Sequence, residues 1–395
     1  MKLTYKHTVT ACFIGYIVQA IINNFVPLLF LTFEKDYGIP LSRIGILVGI
    51  NFGIQLLTDL VAALAIEKTG WRIPMVLAHI LSVCGLVLLA VLPGVMDNKF
   101  LALIIAVSFA AVGGGLLEVL ISPITEACPG DDKAGAMSLL HSFYCWGYMG
   151  VVILSTLFFA FFGIDNWQTL AVIWAIVPLI NLVLFCFVPF GTLSADNDEK
   201  QSAGKLFKNK TFLLMIVIMF CAACCEQSVS QWASAFAEKA LGVRKSIGDL
   251  AGPMLFALLM GSARAIHGSL GNKIKVPLEK LILFSSILCL GSYFVISLCP
   301  LPWISLIGCG ICGFSVGILW PGTFSIAAKT VRGGTFMFAV LALFGDLGCG
   351  AGPLVVGTVA SALGDNLNMG ILVSAIFPVI MILGLIIHIK SKKSA

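Results

Sequence analysis

The chain alternates long apolar runs with short polar breaks. A helix needs ~20 apolar residues, at ~1.5 Å each, to cross a bilayer. Runs of that length fall at 8–33, 42–66, 73–93, 99–125, 134–162 and 165–189, and resume at 210–237, 247–270, 278–299, 302–328, 334–362 and 366–389. Between the two sets, Ser194 to Lys210 gathers Asp196, Asp198, Glu199, Lys200, Lys205 and Lys208. The pattern predicts an all-α membrane protein with twelve transmembrane helices in two pseudo-symmetric six-helix halves. The halves are 1–193 and 211–395, and the solvated linker is 194–210.

The halves echo one another. Gly115 precedes Pro123 by the same eight residues that separate Gly313 from Pro321, an offset of 198. Gly147 and Gly150 return as Gly345 and Gly348 at the same offset, and Ala175-Ile176-Val177-Pro178 returns as Ala375-Ile376-Phe377-Pro378 at 200. Three echoes at nearly one spacing argue for parallel six-helix repeats.

Composition excludes a soluble protein: 59% of the 395 residues are hydrophobic and 11% charged, against about 25% charged in soluble domains. Most of the thirteen cysteines lie inside apolar runs, and Cys221, Cys224 and Cys225 have no nearby His. They read as small packing residues, so no metal or cofactor is implied. The first apolar run continues through Asn23-Asn24 to Phe33 without an A-x-A site, which reads as an uncleaved first helix. Of 24 Lys and Arg, 17 fall on the face that holds both termini and six on the other, with Arg264 inside a helix. That excess predicts a multi-pass cell-membrane protein with cytoplasmic termini and linker. The net charge of +5 requires no nucleic-acid partner, and a monomer in the lipid bilayer is expected. No phosphate loop, metal cluster or nucleophile–base pair stands out, so an enzyme is not expected.

Charges inside a membrane cost on the order of a few kcal/mol and should pair or line a cavity. They are Asp59, Glu118, Glu226, Arg264 and Asp346. Glu118 follows Gly113-Gly114-Gly115, whose missing side chains allow a neighbouring helix to come close. It reads either as a solute or proton site or as a packing contact. A second polar island is Glu226-Gln227-Ser228-Val229-Ser230-Gln231-Trp232, with Gln227 and Gln231 on one face. Amides, hydroxyls and an indole suit a polyhydroxylated solute. Glu118, Glu226 and Asp346 are candidate proton carriers. Asn51, Gln55 and Asp59 form one stripe on the second helix, and Asp59 is a candidate gating or structural partner of Arg264. Asp346 is an alternative partner.

The chain resembles the major facilitator superfamily. That family's loop between helices 2 and 3 reads Gly-x-x-x-Asp-Arg-x-Gly-Arg-Arg/Lys, and Ala63 to Arg72 keeps Glu67, Lys68, Gly70 and Arg72. The resemblance implies that these charges clamp helix ends for a rocking, alternating-access cycle. Helix 4 is similar to the fucose–galactose–hexose proton symporters, which carry Gly-x-x-Glu and then Asn-Pro. Here Gly115-Leu116-Leu117-Glu118 is followed by Ser122-Pro123, and helix 10 adds Trp320-Pro321. One departure is in helix 1: the fucose member of that group has an acid four residues before the proline, where this chain has Asn23 before Pro27. The antiporter's Gly-Pro-rich run is not seen around Gly147 and Gly150. By the resemblance, helices 1, 4, 7 and 10 surround the solute and supply Asn23, Asn24, Glu118, Glu226, Gln227, Gln231, Trp232 and Trp320. The expected function is secondary active transport of a small polar solute, a sugar or sugar-like polyol, with proton coupling. The alternative is an exporter of amphipathic compounds or a carrier of organic anions or peptides.

Overall fold

A computed structural model describes residues 3–129, 133–191, 206–270, 276–331 and 334–394, without the side chains of 63–69, 133–136, 138, 268–270, 334–336 and 393–394. Among the described residues all regular structure is helical, and twelve helical spans are long and apolar enough to cross a membrane. In chain order they are α1 (Tyr5–Tyr37), α2 (Leu41–Thr69), α3 (Arg72–Val95), α4 (Lys99–Ala127), α5 (Lys133–Phe162) and α6 (Ile164–Phe187). Then follow α7 (Lys210–Ser230), α8 (Lys245–His267), α9 (Leu278–Leu298), α10 (Pro302–Thr330), α11 (Gly334–Ala362) and α12 (Leu367–Lys392).

Polar residues in the breaks set the helix ends. The Asn98 side chain accepts from Leu101 N at the start of α4, and Asn209 from Thr211 N and Phe212 N at the start of α7. These acceptors satisfy amide groups that a helix start leaves open. Gly38 ends α1 at φ 63°, a left-handed conformation that glycine adopts without a Cβ penalty. The turn into α3 uses Gly70 at φ 67° in the same way. Arg72 then reaches the far end of α6. Its Nη2 donates to Val188 O at 2.9 Å and its Nη1 to the Phe185 and Cys186 carbonyls, while the guanidinium lies 4.9 Å from the Phe190 ring centre. A cation there satisfies terminal carbonyls and the negative end of the helix dipole. The side chains of Glu67 and Lys68, the other charges of that loop, lie outside the described ones.

The chain forms two compact units, Met1–Pro40 with Ile50–Ser194, and Leu41–Gly49 with Ala195–Ala395. The first turns of α2 thus group with the later residues, not with 1–193. Gly45 explains why: a Cβ there would sit 3.4 Å from the Gly357 Cα and 3.5 Å from the Leu354 Cα of α11.

In the first unit, Gly113-Gly114-Gly115 brings two neighbours onto α4. A Cβ at Gly113 would meet Ala78 O of α3 at 2.7 Å, and one at Gly115 would meet Gln55 O of α2 at 2.8 Å. The core behind them is apolar, with Tyr16, Val18, Leu117, Leu120, Ile121 and Phe185 buried. His79 is buried there too, hydrogen-bonded to Met75 O and Asn181, which also donates to Ala11 O. In the second unit α10 packs on α8 by the same device. A Cβ at Gly317 would meet Met260 O at 2.8 Å.

Three cavity-candidate helices are interrupted. In α1, a 3₁₀ turn at Val26–Leu29 carries Pro27. Beyond Ser230, the last residue of α7, Gln231 and Trp232 turn before the helix resumes at Ala233. The break in α10 is at Gly317 and Ile318.

Candidate functional site

The first unit holds one polar cluster built from four helices. From α1, Gln19 Nε2 donates to Glu118 Oε2 of α4 at 2.8 Å. One turn on, Asn23 Oδ1 accepts from two amides of α2, Gln55 Nε2 at 2.8 Å and Asn51 Nδ2 at 3.2 Å. Asn24 Nδ2 donates to Ala20 O and reaches the Tyr144 hydroxyl of α5 at 3.4 Å. The Tyr16 hydroxyl lies 3.1 Å from Ser122 Oγ, and its ring is 5.4 Å from that of His141. Asp59 and Glu118 offer carboxylate oxygens within 4.8 Å of one another. The α2 stripe of Asn51, Gln55 and Asp59 therefore turns toward α1 and α4. Among these groups, Gln19 carries no motif of its own. Its signal in the sequence is the i, i+4 pair it makes with Asn23, two amides on one face of an apolar helix.

The second unit holds a different cluster. Arg264 Nη2 of α8 lies 3.2 Å from Glu226 Oε2 of α7, an ion pair whose side chains are 21% and 11% exposed. The sequence reading offers Asp59 or Asp346 as a partner for Arg264; the structure shows an ion pair with Glu226. Arg264 Nε also donates to Gly317 O at 3.3 Å. That carbonyl needs a donor because Pro321, four residues on, has no N–H to return to it. From Glu226 the network runs along α7: Gln227 Nε2 donates to Glu226 Oε1 at 3.3 Å, and Gln231 Nε2 to Gln227 Oε1 at 3.1 Å.

The aromatic candidates take different places. Trp232 is fully buried, and its indole N–H donates to Pro353 O of α11 at 3.0 Å. The sequence reading counts it among solute-binding groups; the indole bond fastens the α7 break to α11. Trp320 is half-buried, lies edge-on to Phe324, and lays its ring against Gly345, where a Cβ would clash with it. Beside that glycine, Asp346 is buried on α11. Just beyond the α7 break, Asp249 of α8 is fully buried with Lys245 Nζ 3.2 Å away and the Ser234 hydroxyl donating to it. Ser234 thereby ties the segment after α7 to the first turn of α8, just before the π turn at Leu250–Met254; this contact had no counterpart among the sequence candidates.

A profile of the Major Facilitator Superfamily matches residues 10–353. The chain belongs to that superfamily. It is accordingly a multi-pass membrane protein of a transporter family. Solved structures share its fold. A bacterial homolog of the human lysosomal transporter Spinster, in an inward-facing and unoccupied conformation, aligns at TM-score 0.79 and 14% identity over 96% of each chain. The E. coli fucose:proton symporter FucP aligns at 0.66 and 15%, covering 97% of this chain and 98% of that one. FucP in an outward conformation aligns at 0.63 and 15%, over 95% and 97%. No curated protein sequence matches the chain. At these identities the likeness is one of fold.

Proposed function

We propose that this superfamily member is a secondary active transporter of a small polyhydroxylated solute, a sugar or sugar-like polyol, coupled to a cation at Glu118. The observation that carries the reading is the hydrogen bond from Gln19 to Glu118, inside a membrane-embedded cluster of amides and hydroxyls that also holds the Asp59 carboxylate. Such groups both donate and accept, which is what a solute with many hydroxyls needs when it leaves water. A carboxylate among them adds a place where a cation can travel with the solute. Asn23, Asn24, Glu118, Gln227, Gln231 and Trp320 are the proposed solute groups, and Glu226 acts through its network with Gln227. The fucose:proton symporter is the structural neighbour whose stated activity agrees with the reading, and the proton is the coupling ion that the family resemblance implies. Carriage of an organic anion would require an uncompensated cation, and Arg264 is balanced by Glu226. Both termini are proposed to be cytoplasmic.

Uptake by proteoliposomes tests the reading. The wild type should accumulate a hexose or polyol against its gradient. Glu118→Gln should abolish accumulation yet keep solute exchange, because glutamine retains hydrogen bonding without a charge. Full accumulation by the variant would remove Glu118 from the mechanism.

A further inference from the structure

Two buried amide oxygens in the first unit lack a donor. Gln55 is 2% exposed and Gln19 is 3% exposed. Among the described residues neither Gln55 Oε1 nor Gln19 Oε1 has a hydrogen-bond partner. A buried amide oxygen without a donor costs on the order of 1–3 kcal/mol, so its persistence needs an explanation.

The amide orientations follow from their neighbours. Gln19 must present Nε2 to the Glu118 carboxylate, which can only accept when ionised. Its Oε1 then sits on the same carboxamide, beside that carboxylate. Asn23 Oδ1 receives both Asn51 Nδ2 and Gln55 Nε2, so Gln55 must likewise turn its Oε1 the other way. The Gln55 carboxamide lies against α4: a Cβ at Gly114 would lie 3.3 Å from Gln55 Cδ and 3.4 Å from Oε1. Gly114 is one helical turn from Glu118. A Cβ at Gly115 would lie 3.0 Å from Asp59 Oδ1. The glycines therefore leave α4 bare where these oxygens gather, and the Asp59 and Glu118 oxygens come within 4.8 Å.

Two part-buried carboxylates and two buried amide oxygens on α1, α2 and α4 form an all-oxygen donor set. Hard cations are bound by such sets, and soft ones by thiolates and imidazoles. We propose that Asp59, Glu118, Gln19 and Gln55 form a sodium site, and that Na⁺ is the ion that moves with the solute. The inference rests on the transport reading above and specifies its coupling ion. A sodium ion can satisfy both amide oxygens, whereas one proton on Glu118 supplies a single O–H donor and so satisfies at most one of them. It also relieves the repulsion between the carboxylates. A monovalent ion suits a carrier that must release its cargo each cycle, whereas a divalent ion clamped by two carboxylates would be held too firmly.

The test uses the purified full-length protein in lipid nanodiscs and reads its thermal unfolding midpoint. NaCl is titrated against choline chloride at constant ionic strength, with KCl, MgCl₂ and CaCl₂ as further arms. Sodium should raise the midpoint saturably, while potassium and choline should not. Gln55→Leu should raise the half-saturating sodium concentration about tenfold or more, the usual effect of losing a metal-site partner. Glu118→Gln should remove the response. If a variant does not fold, the wild type still decides: in proteoliposomes at equal pH, an inward sodium gradient should drive solute accumulation. Equal midpoints in sodium and choline would overturn the sodium site, and so would a response only to Mg²⁺ or Ca²⁺. Solute uptake driven by a pH gradient and indifferent to sodium would overturn it while leaving the transport reading standing. A saturable sodium response without any solute flux would sustain the site and sink the transport reading.

Discussion

Each unit places a glutamate inside an apolar helix, and the two are treated in opposite ways. In the first, Glu118 takes a neutral amide, Gln19, and lies within 4.8 Å of a second carboxylate, Asp59. In the second, Glu226 takes a guanidinium, Arg264, at 3.2 Å. Pairing a carboxylate with Arg264 makes a net-neutral pair whose role is cohesion of α7, α8 and the α10 break. Placing carboxylate near carboxylate sets like charges side by side, which is costly inside a membrane. A duplicated fold has thus kept its packing device, glycines on α4 and α10, while dividing the electrostatic work between its copies.

The largest expected effect comes from breaking the neutral pair. Arg264→Gln strands the Glu226 carboxylate and leaves Gly317 O short of a donor, so it should cost about 3 kcal/mol or more. Unfolding of the purified protein measures it. The double variant Arg264→Gln with Glu226→Gln should recover most of the loss, since a stranded charge is what costs. No recovery would mean that Arg264 acts chiefly through Gly317.

Crowding the shared packing device should come next. Gly115→Ala and Gly317→Ala each push a Cβ to 2.8 Å from a backbone carbonyl, which should cost roughly 1–3 kcal/mol. Gly115→Ala should also impair accumulation more than Gly317→Ala does, because its Cβ falls 3.0 Å from Asp59 Oδ1. Equal uptake defects would blur the distinction between the units.

Glu118→Gln should scarcely touch stability, by less than about 1 kcal/mol, because a hydrogen bond to Gln19 survives. Its contrast with Arg264→Gln is the sharpest form of the comparison: one variant loses coupling and keeps its fold, the other loses fold stability. The smallest effect belongs to Gln231→Ala. It removes the outer link of the Gln227–Gln231 chain and should weaken solute affinity by roughly 0.5–1.5 kcal/mol, about a few-fold in half-saturation. Unchanged affinity would take Gln231 out of the proposed solute groups.

The membrane spans and the polar candidates were legible because their physics is local. An apolar run long enough to cross a bilayer declares itself whatever surrounds it, and the observed spans follow the apolar runs. The Gln227–Gln231 contact was legible for the same reason, since an i, i+4 spacing places two side chains on one face. Pro321 and the chain break at Gly317 were half-legible. The missing N–H can be read from the proline, but the donor that replaces it, Arg264, sits 53 residues away.

Partners between helices were not legible. Gln19 meets Glu118 across 99 residues, Arg264 meets Glu226 across 38, and Trp232 meets Pro353 across 121. In a soluble helix the apolar stripe shows which face turns inward. Here lipid and protein core are both apolar, so hydrophobicity does not fix the rotation of a helix about its own axis. By itself the sequence determined how many helices there are, where they lie along the chain and which few charges they carry. Which charge meets an amide, which meets a guanidinium and which tryptophan is buried were decided by the packing of helix on helix, through glycines that let particular backbones touch.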